Sequence, residues 1–191
     1  MIAYVFWHWP SPAVAGAAYE QALLAFHGAL ANARLPGFQE SVVCRVEGAG
    51  WLPRQPTAYE DWYLVHDFTA LGLVNEGAVA GACRAPHEAV ARHAAGGTAG
   101  LYGLARGAED PPTQPCATWL AKPAGMSYER FFAALAAWSD RAGASLWQRQ
   151  LVLGPTPEFC LLSPAPADLD LPGLAPPLRV TRRLVWPPAR L

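Results

Sequence analysis

Residues 116–122, Cys-Ala-Thr-Trp-Leu-Ala-Lys, stopped by Pro123, restart a pattern that the chain has already run once. They read as a β-strand, because aromatic and apolar residues are bounded by a proline. Residues 127–142 follow as a helix opening on Ser127, a good N-cap, with Arg130 where a capping box would place Glu. At the start of the chain, Ile2–Trp9 (Ile-Ala-Tyr-Val-Phe-Trp-His-Trp) is the same kind of strand, stopped by Pro10. Residues 17–33 then carry Tyr19, Leu23, Phe26 and Leu30 at helical spacing. The two helices align at Tyr19-Glu20 and Tyr128-Glu129, an offset of 109 residues. The same offset carries Phe38, in the next strand, onto Trp147. The pattern predicts an internal repeat.

The first copy is the longer one. After Pro36-Gly37 ends its helix, residues 38–46 and 60–68 read as strands separated by a Gly- and Pro-rich loop. Residues 70–95 are Ala-rich and helical, with a bend near Arg84-Ala85-Pro86 and an end at Gly96-Gly97. Residues 98–106 supply a fourth strand. The order β-α-β-β-α-β is the ferredoxin-like split unit, over residues 1–108. The second unit, residues 113–191, has strands at Leu146–Leu153, Phe159–Leu162 and 178–186. Its connector 163–177 holds five prolines and cannot be a regular helix. The expected fold class is therefore α+β, with two tandem ferredoxin-like units, the second lacking its second helix.

A ferredoxin-like sheet has one face under its helices and one open, and two units can close their open faces into a barrel. In element order and duplication the whole chain resembles the dimeric α+β barrel superfamily. That group includes EthD-like, Dabb and antibiotic-biosynthesis monooxygenase-like proteins and the muconolactone-isomerase type. The resemblance implies an intramolecular version of that barrel, with a ligand inside it or between sheet and helices. Activities in the group run from oxygenases to isomerases and lyases, so the resemblance leaves the reaction open.

Composition narrows the partners. The chain has 191 residues and a formal net charge of −1, which argues against nucleic acid and against a polybasic membrane-surface protein. No apolar run is long enough for a transmembrane helix, and the aromatic N-terminus is unlike a signal peptide, so a cytoplasmic protein is expected. Arginine outnumbers lysine 13 to 1, which fits genome composition better than an anion site. Cys44, Cys83, Cys116 and Cys160 show no metal-ligand spacing and read as buried free thiols. His87 and His93, six apart, lack the spacing of a helical metal pair and read as surface residues, so no metal site is expected. There is no GxGxxG, Walker or GxSxG motif, and Gly96–Gly100 precedes a strand rather than a helix, so no cofactor is expected either.

Candidate chemistry rests on strand faces. Tyr4, Phe6 and His8 share one face of the first strand, and Trp62, Leu64, His66 and Phe68 one face of the third. His8 and His66 are the candidate acid–base groups, although they should lie toward opposite ends of the sheet. Arg45 is expected on the barrel side with Ser41 and Val43, leaving Val42, Cys44 and Val46 to the helices. There Arg45 and Tyr63 would orient a substrate oxygen, with Trp9 and Trp62 as aromatic walls; a rim salt bridge to Glu47 or Asp61 is the competing role for Arg45. His27 would line the cleft at the helix edge. Arg179, Thr181 and Arg183 share a face that is either a hydrated interior or an outer face left bare by the missing helix. Trp51, in the Gly/Pro loop, either anchors that loop or covers a pocket.

The expected function is a small enzyme, independent of cofactors, that moves a proton on an apolar or aromatic molecule. The alternatives are a non-catalytic small-molecule binder or a protein-interaction module. A haem protein is a third reading, but no histidine has a recognisable axial-ligand context. Self-association into a homo-oligomer would follow if the bare sheet face is apolar.

Overall fold

The computed structural model describes residues 1–53, 57–151 and 154–188. Eight strands are β1 (Ile2–Pro10), β2 (Phe38–Glu47), β3 (Ala58–Val65), β4 (Ala94–Gly107), β5 (Cys116–Leu120), β6 (Ser145–Gln150), β7 (Phe159–Ser163) and β8 (Leu178–Trp186). Four helices are α1 (Gly16–Ala33), α2 (Phe68–Gly77), α3 (Arg84–His93) and α4 (Tyr128–Ser139). The strands close into one antiparallel barrel in the order β1-β3-β2-β8-β5-β7-β6-β4. The first half contributes the run β4-β1-β3-β2 and the second the run β8-β5-β7-β6, with seams at β2–β8 and β4–β6.

Alternation along each strand sends one set of side chains inward and the other toward the helices. The inward set is large and dry. Trp7, Trp62, Trp119, Trp147 and Tyr102 are fully buried there. Their rings meet edge to face, with Trp7 5.5 Å from Trp119 and Trp62 5.2 Å from Trp147. Trp51 packs against Trp7 and Trp119 at 5.5 and 5.4 Å, so the loop residue is an anchor. Such an interior, filled by interlocking rings, is a packed core.

One ion pair lies inside this aromatic core. Arg182 Nε is 2.7 Å from Glu60 Oε1, and both side chains have no exposure. The indole N–H groups of Trp7 and Trp62 also donate to Glu60, each at 2.7 Å. Arg182 Nη1 donates to the Gln114 carbonyl at 2.7 Å. Glu60 comes from β3 and Arg182 from β8, so the pair joins the two halves through the middle of the barrel. Cys44 and Cys160 sit in the same interior; burial pushes the Cys44 thiol up to about 11 and Cys160 well above its ordinary value. Thiols held protonated in this way are packing groups, and all four cysteines are free.

Several expectations need correction. β3 stops at Val65 because Asp67 caps α2, its Oδ1 accepting from the Ala70 N–H at 2.9 Å. His66 therefore sits in the connection between β3 and α2, exposed, and shares no strand face with Trp62. The helical region after it is two helices joined by a short 3₁₀ turn at Gly81–Cys83, and Pro86 falls in the first turn of α3, where its missing N–H is harmless. Gly96 and Gly97 lie inside β4, which already begins at Ala94. A Cβ on Gly97 would come within 2.4 Å of the Phe6 ring and one on Gly96 within 2.7 Å of Trp9, so these glycines make way for aromatics of β1. The faces of β2 are the reverse of the expectation: Val42, Cys44 and Val46 line the barrel, and Arg45 points outward. Both faces of a barrel strand under a helix are buried, so alternation alone does not say which side is which. The expected strand Leu146–Leu153 ends at Gln150, and residues 152–153 fall outside those described.

The second half has no helix between β7 and β8 among the described residues. Its connector lies over the sheet instead: Leu169, Leu171 and Leu174 pack on the cluster formed by Phe131, Leu135 and Ala167. Ser127 caps α4 as expected, accepting from the Arg130 N–H at 3.3 Å. Arg179, Thr181 and Arg183 face outward and are exposed. No helix of the described residues is long and apolar enough to cross a membrane.

Candidate functional site

The space that the barrel lacks lies outside it. A cavity of about 860 Å³ opens between the helix-facing side of β1, β3 and β4 and the helices α1, α2 and α3. Its walls are mostly apolar, with Phe6, Phe26, Phe68, Leu71, Val74 and Val90 among them. His8, Tyr19, Asp61 and Tyr63 meet on its sheet side, and Asn75 of α2 and His87 of α3 face it from the helices.

Cross-strand register builds that polar floor. β1 and β3 pair with His8 opposite Tyr59 and Phe6 opposite Asp61, which sets Asp61 diagonally beside His8 on the helix-facing side. α1 delivers the rest. Tyr19, Leu23, Phe26, His27 and Leu30 form its buried stripe, and the stripe lays Tyr19 on His8 and His27 on Asp61. His8 Nδ1 is 2.7 Å from the Tyr19 hydroxyl, and His8 Nε2 is 3.0 Å from Asp61 Oδ1. His27 Nε2 is 3.2 Å from Asp61 Oδ2, and its Nδ1 is 2.8 Å from the Ser41 hydroxyl. Tyr63 donates its hydroxyl to Asp61 Oδ2 at 3.1 Å. The His8 ring is held flat between Phe6 and Tyr59, with centroids at 5.1 and 5.6 Å.

The two oxygens of Asp61 are not equivalent. Oδ2 has two hydrogen-bond partners. Oδ1 has only His8 Nε2 nearby, and the contact is not aligned as a hydrogen bond, which leaves both atoms buried without a directed partner. Burial alone would raise the Asp61 pKa, but His8 and His27 outweigh it and hold the carboxyl well below the usual carboxylate range. Burial, with the nearby Asp61 charge, pushes the phenols of Tyr19 and Tyr63 well up, so both stay protonated. A buried pair of unpartnered polar atoms beside a large apolar cavity is what a ligand's polar group would satisfy.

Asp61 also gives a pH prediction. A carboxyl whose pKa folding lowers contributes stability that is full above its unfolded pKa, about 3.9, and is lost as pH falls toward the folded value. Melting temperature of the wild type should therefore drop more steeply between about pH 4 and pH 2 than that of Asp61→Asn, which lacks the ionisation. Equal slopes in a thermal-melt series would mean that Asp61 is not held ionised by its histidines.

The sequence-predicted residues separate. His8 and Tyr63 lie in the cavity floor. His66 is exposed and lines no part of the cavity. Trp62 is inside the barrel, bonded to Glu60. Trp9 lies at the far end of β1, over Gly96. Arg45 borders a separate shallow groove with Glu47, Thr181 and Arg183, and bonds the Thr57 hydroxyl at 3.4 Å. His27 sits deeper than a cleft edge, with no exposure. His87, expected at the surface, lines the cavity from α3 and packs on Phe26 at 5.4 Å. The residues missed are Asp61 and Tyr19. One signal for Asp61 was available: Glu60-Asp61 puts consecutive carboxylates in a strand between Tyr59 and Trp62. Buried on opposite faces, each of them requires a partner.

No protein-family model matches this chain, and no curated protein matches it. Among solved structures it is similar to a candidate monooxygenase from Fusobacterium nucleatum, with a TM-score of 0.62 at 11% identity, over 96% of this chain and 92% of the other. It is also similar to a candidate chlorite dismutase, with a TM-score of 0.51 at 11% identity, over 97% of this chain and 96% of the other. Both have the dimeric α+β barrel architecture, and likeness at this identity speaks to the fold and not to the reaction. The chain has the dimeric α+β barrel fold, closed here by one polypeptide.

Proposed function

We propose that the protein is a small enzyme that binds an apolar or aromatic molecule in the helix-side cavity and moves a proton on it. The observation that carries this reading is the unpartnered pair His8 Nε2 and Asp61 Oδ1, 3.0 Å apart on residues of a mostly apolar cavity. The carboxylate charge 3.0 Å away favours the proton on Nε2, although that N–H is not aligned on Oδ1, and Nδ1 is left to accept from the Tyr19 hydroxyl. The floor thus offers a donor and an ionised acceptor side by side. An enolisable ketone fits that pair. Asp61 Oδ1 takes the proton from the carbon beside the carbonyl, and the C–H electron pair becomes the C=C bond. The carbonyl π pair moves to oxygen, which is held by His8 Nε2–H, and Asp61 returns the proton there to complete the enol. Asp61 is a weak base, so the bond from His8 to the oxygen has to supply much of the acceleration. We also propose that the two halves, residues 1–108 and 113–191, are fused copies of one ferredoxin-like unit of the EthD and Dabb kind. Their matching strand orders and the shared position of α1 and α4 support this.

The reading is tested with 2-tetralone, an apolar enolisable ketone, by following solvent deuterium incorporation with NMR. The protein should accelerate exchange. Leu101→Trp, which fills the cavity from β4, should abolish both the acceleration and the binding of the neutral fluorophore N-phenyl-1-naphthylamine. Fluorophore binding that Leu101→Trp blocks, without any exchange by the wild type, would make the protein a non-catalytic binder.

A further inference from the structure

Resting on that reading of the cavity, we propose that the site selects the neutral hydroxyl form of its ligand, an enol or phenol, over both the ketone and a carboxylate of the same size. The inference comes from the geometry of Asp61. Its Oδ2 is occupied by Tyr63 and His27, at 3.1 and 3.2 Å. Oδ1 has no hydrogen-bond partner, and it lies 3.0 Å from His8 Nε2, which has none either.

An oxygen that approaches His8 Nε2 therefore also approaches Oδ1. A hydroxyl satisfies both atoms, accepting from Nε2–H and donating its own proton to Oδ1. A ketone oxygen satisfies the histidine and leaves the carboxylate oxygen unpartnered and desolvated. A ligand carboxylate brings a second anionic oxygen against Oδ1 with no proton between them, in apolar surroundings where that repulsion is poorly screened. The groups facing this spot offer little relief. Tyr19 and Tyr63 are neutral donors already engaged, Tyr4 is a further phenol on the same wall, and the second imidazole, His27, is bonded to Ser41 and to Oδ2. His87 lies across the cavity on α3, beside Phe26. The preference also bears on the reaction, because the enol is held by one hydrogen bond more than the ketone from which it forms.

The test compares naphthalene, 2-tetralone, 2-naphthol and 2-naphthoate as displacers of N-phenyl-1-naphthylamine at pH 7, with the wild-type protein. 2-Naphthol is an enol locked by aromaticity and is neutral at that pH; 2-naphthoate is an anion. The expected order is 2-naphthol tightest, about tenfold ahead of 2-tetralone and naphthalene, with 2-naphthoate weaker than naphthalene. In His66→Ala, which lies outside the cavity, the advantage of 2-naphthol should persist. In Asp61→Asn, where folded, it should shrink and 2-naphthoate should gain. Equal displacement by all four compounds, or tighter binding of 2-naphthoate, overturns the selection while leaving the cavity reading intact. No displacement by any of them overturns both.

Discussion

Asp61→Asn should slow deuterium exchange into 2-tetralone by about 10²- to 10⁴-fold, the range expected when a positioned base is removed. The amide keeps the size of the side chain and removes the acceptor that takes the proton. His8→Gln should cost about 10²- to 10³-fold, as for the loss of one donor to a developing oxyanion. Because the two groups act on one proton and one oxygen, the double variant should be little worse than the worse single one. His66→Ala should exchange at the wild-type rate, since His66 is exposed and outside the cavity. Tyr19→Phe is the intermediate case. It leaves His8 Nδ1 without its hydroxyl partner, so the imidazole loses the hydrogen bond that orients its ring, and exchange should fall while 2-tetralone still binds. Exchange retained by both Asp61→Asn and His8→Gln, in variants that melt cooperatively, would place the chemistry elsewhere.

The second large effect is on stability. Glu60→Ala should destabilise the protein by about 3–5 kcal/mol, because it leaves Arg182 charged and unpaired in the barrel interior. It also strips the acceptor from the indoles of Trp7 and Trp62. For a chain of this length that corresponds to a fall of about 6–20 °C in Tm. Arg182→Met should be less damaging, since the two indoles still neutralise part of the Glu60 hydrogen-bonding demand. A double-mutant cycle should give a coupling of at least about 2 kcal/mol, because each single change strands the other charge. Singles costing under about 1 kcal/mol each would mean that the pair behaves like an exposed salt bridge rather than a desolvated one. Glu60 and Asp61 thus face opposite ways: one points inward and joins the two halves, the other points outward into the floor of the cavity.

Most of the element order was legible in the sequence, for a physical reason. Proline and glycine punctuate most connections, the β3–α2 junction at His66-Asp67 being an exception, and the stripe Tyr19, Leu23, Phe26, Leu30 has the period of a helix packed on one side. The missing helix of the second half was equally legible, because the prolines of the 163–177 connector forbid it. Strand faces were harder. Along β2 the run Val42-Val43-Cys44 is buried on both sides, so nothing in the pattern marks which side is the barrel, and Arg45 was assigned inward. His66 was mistaken for a strand residue because its apolar neighbours continue the alternation, while the Asp67 cap that ends the strand acts through a backbone hydrogen bond. His8 was identified from its own strand. Its partners come from α1 and β3, 11 and 53 residues away, and that proximity is created by register and helix packing, which spacing in the chain does not reveal.

On the proposed reading, ligand and protein meet at the polar floor of the helix-side cavity. A crystal structure of the protein with 2-naphthol tests it most directly. The ring is expected between α1, α2, α3 and the sheet, with its oxygen within about 3 Å of both His8 Nε2 and Asp61 Oδ1. A naphthol bound in the Arg45 groove or elsewhere on the surface, with the floor of the cavity untouched, would contradict it.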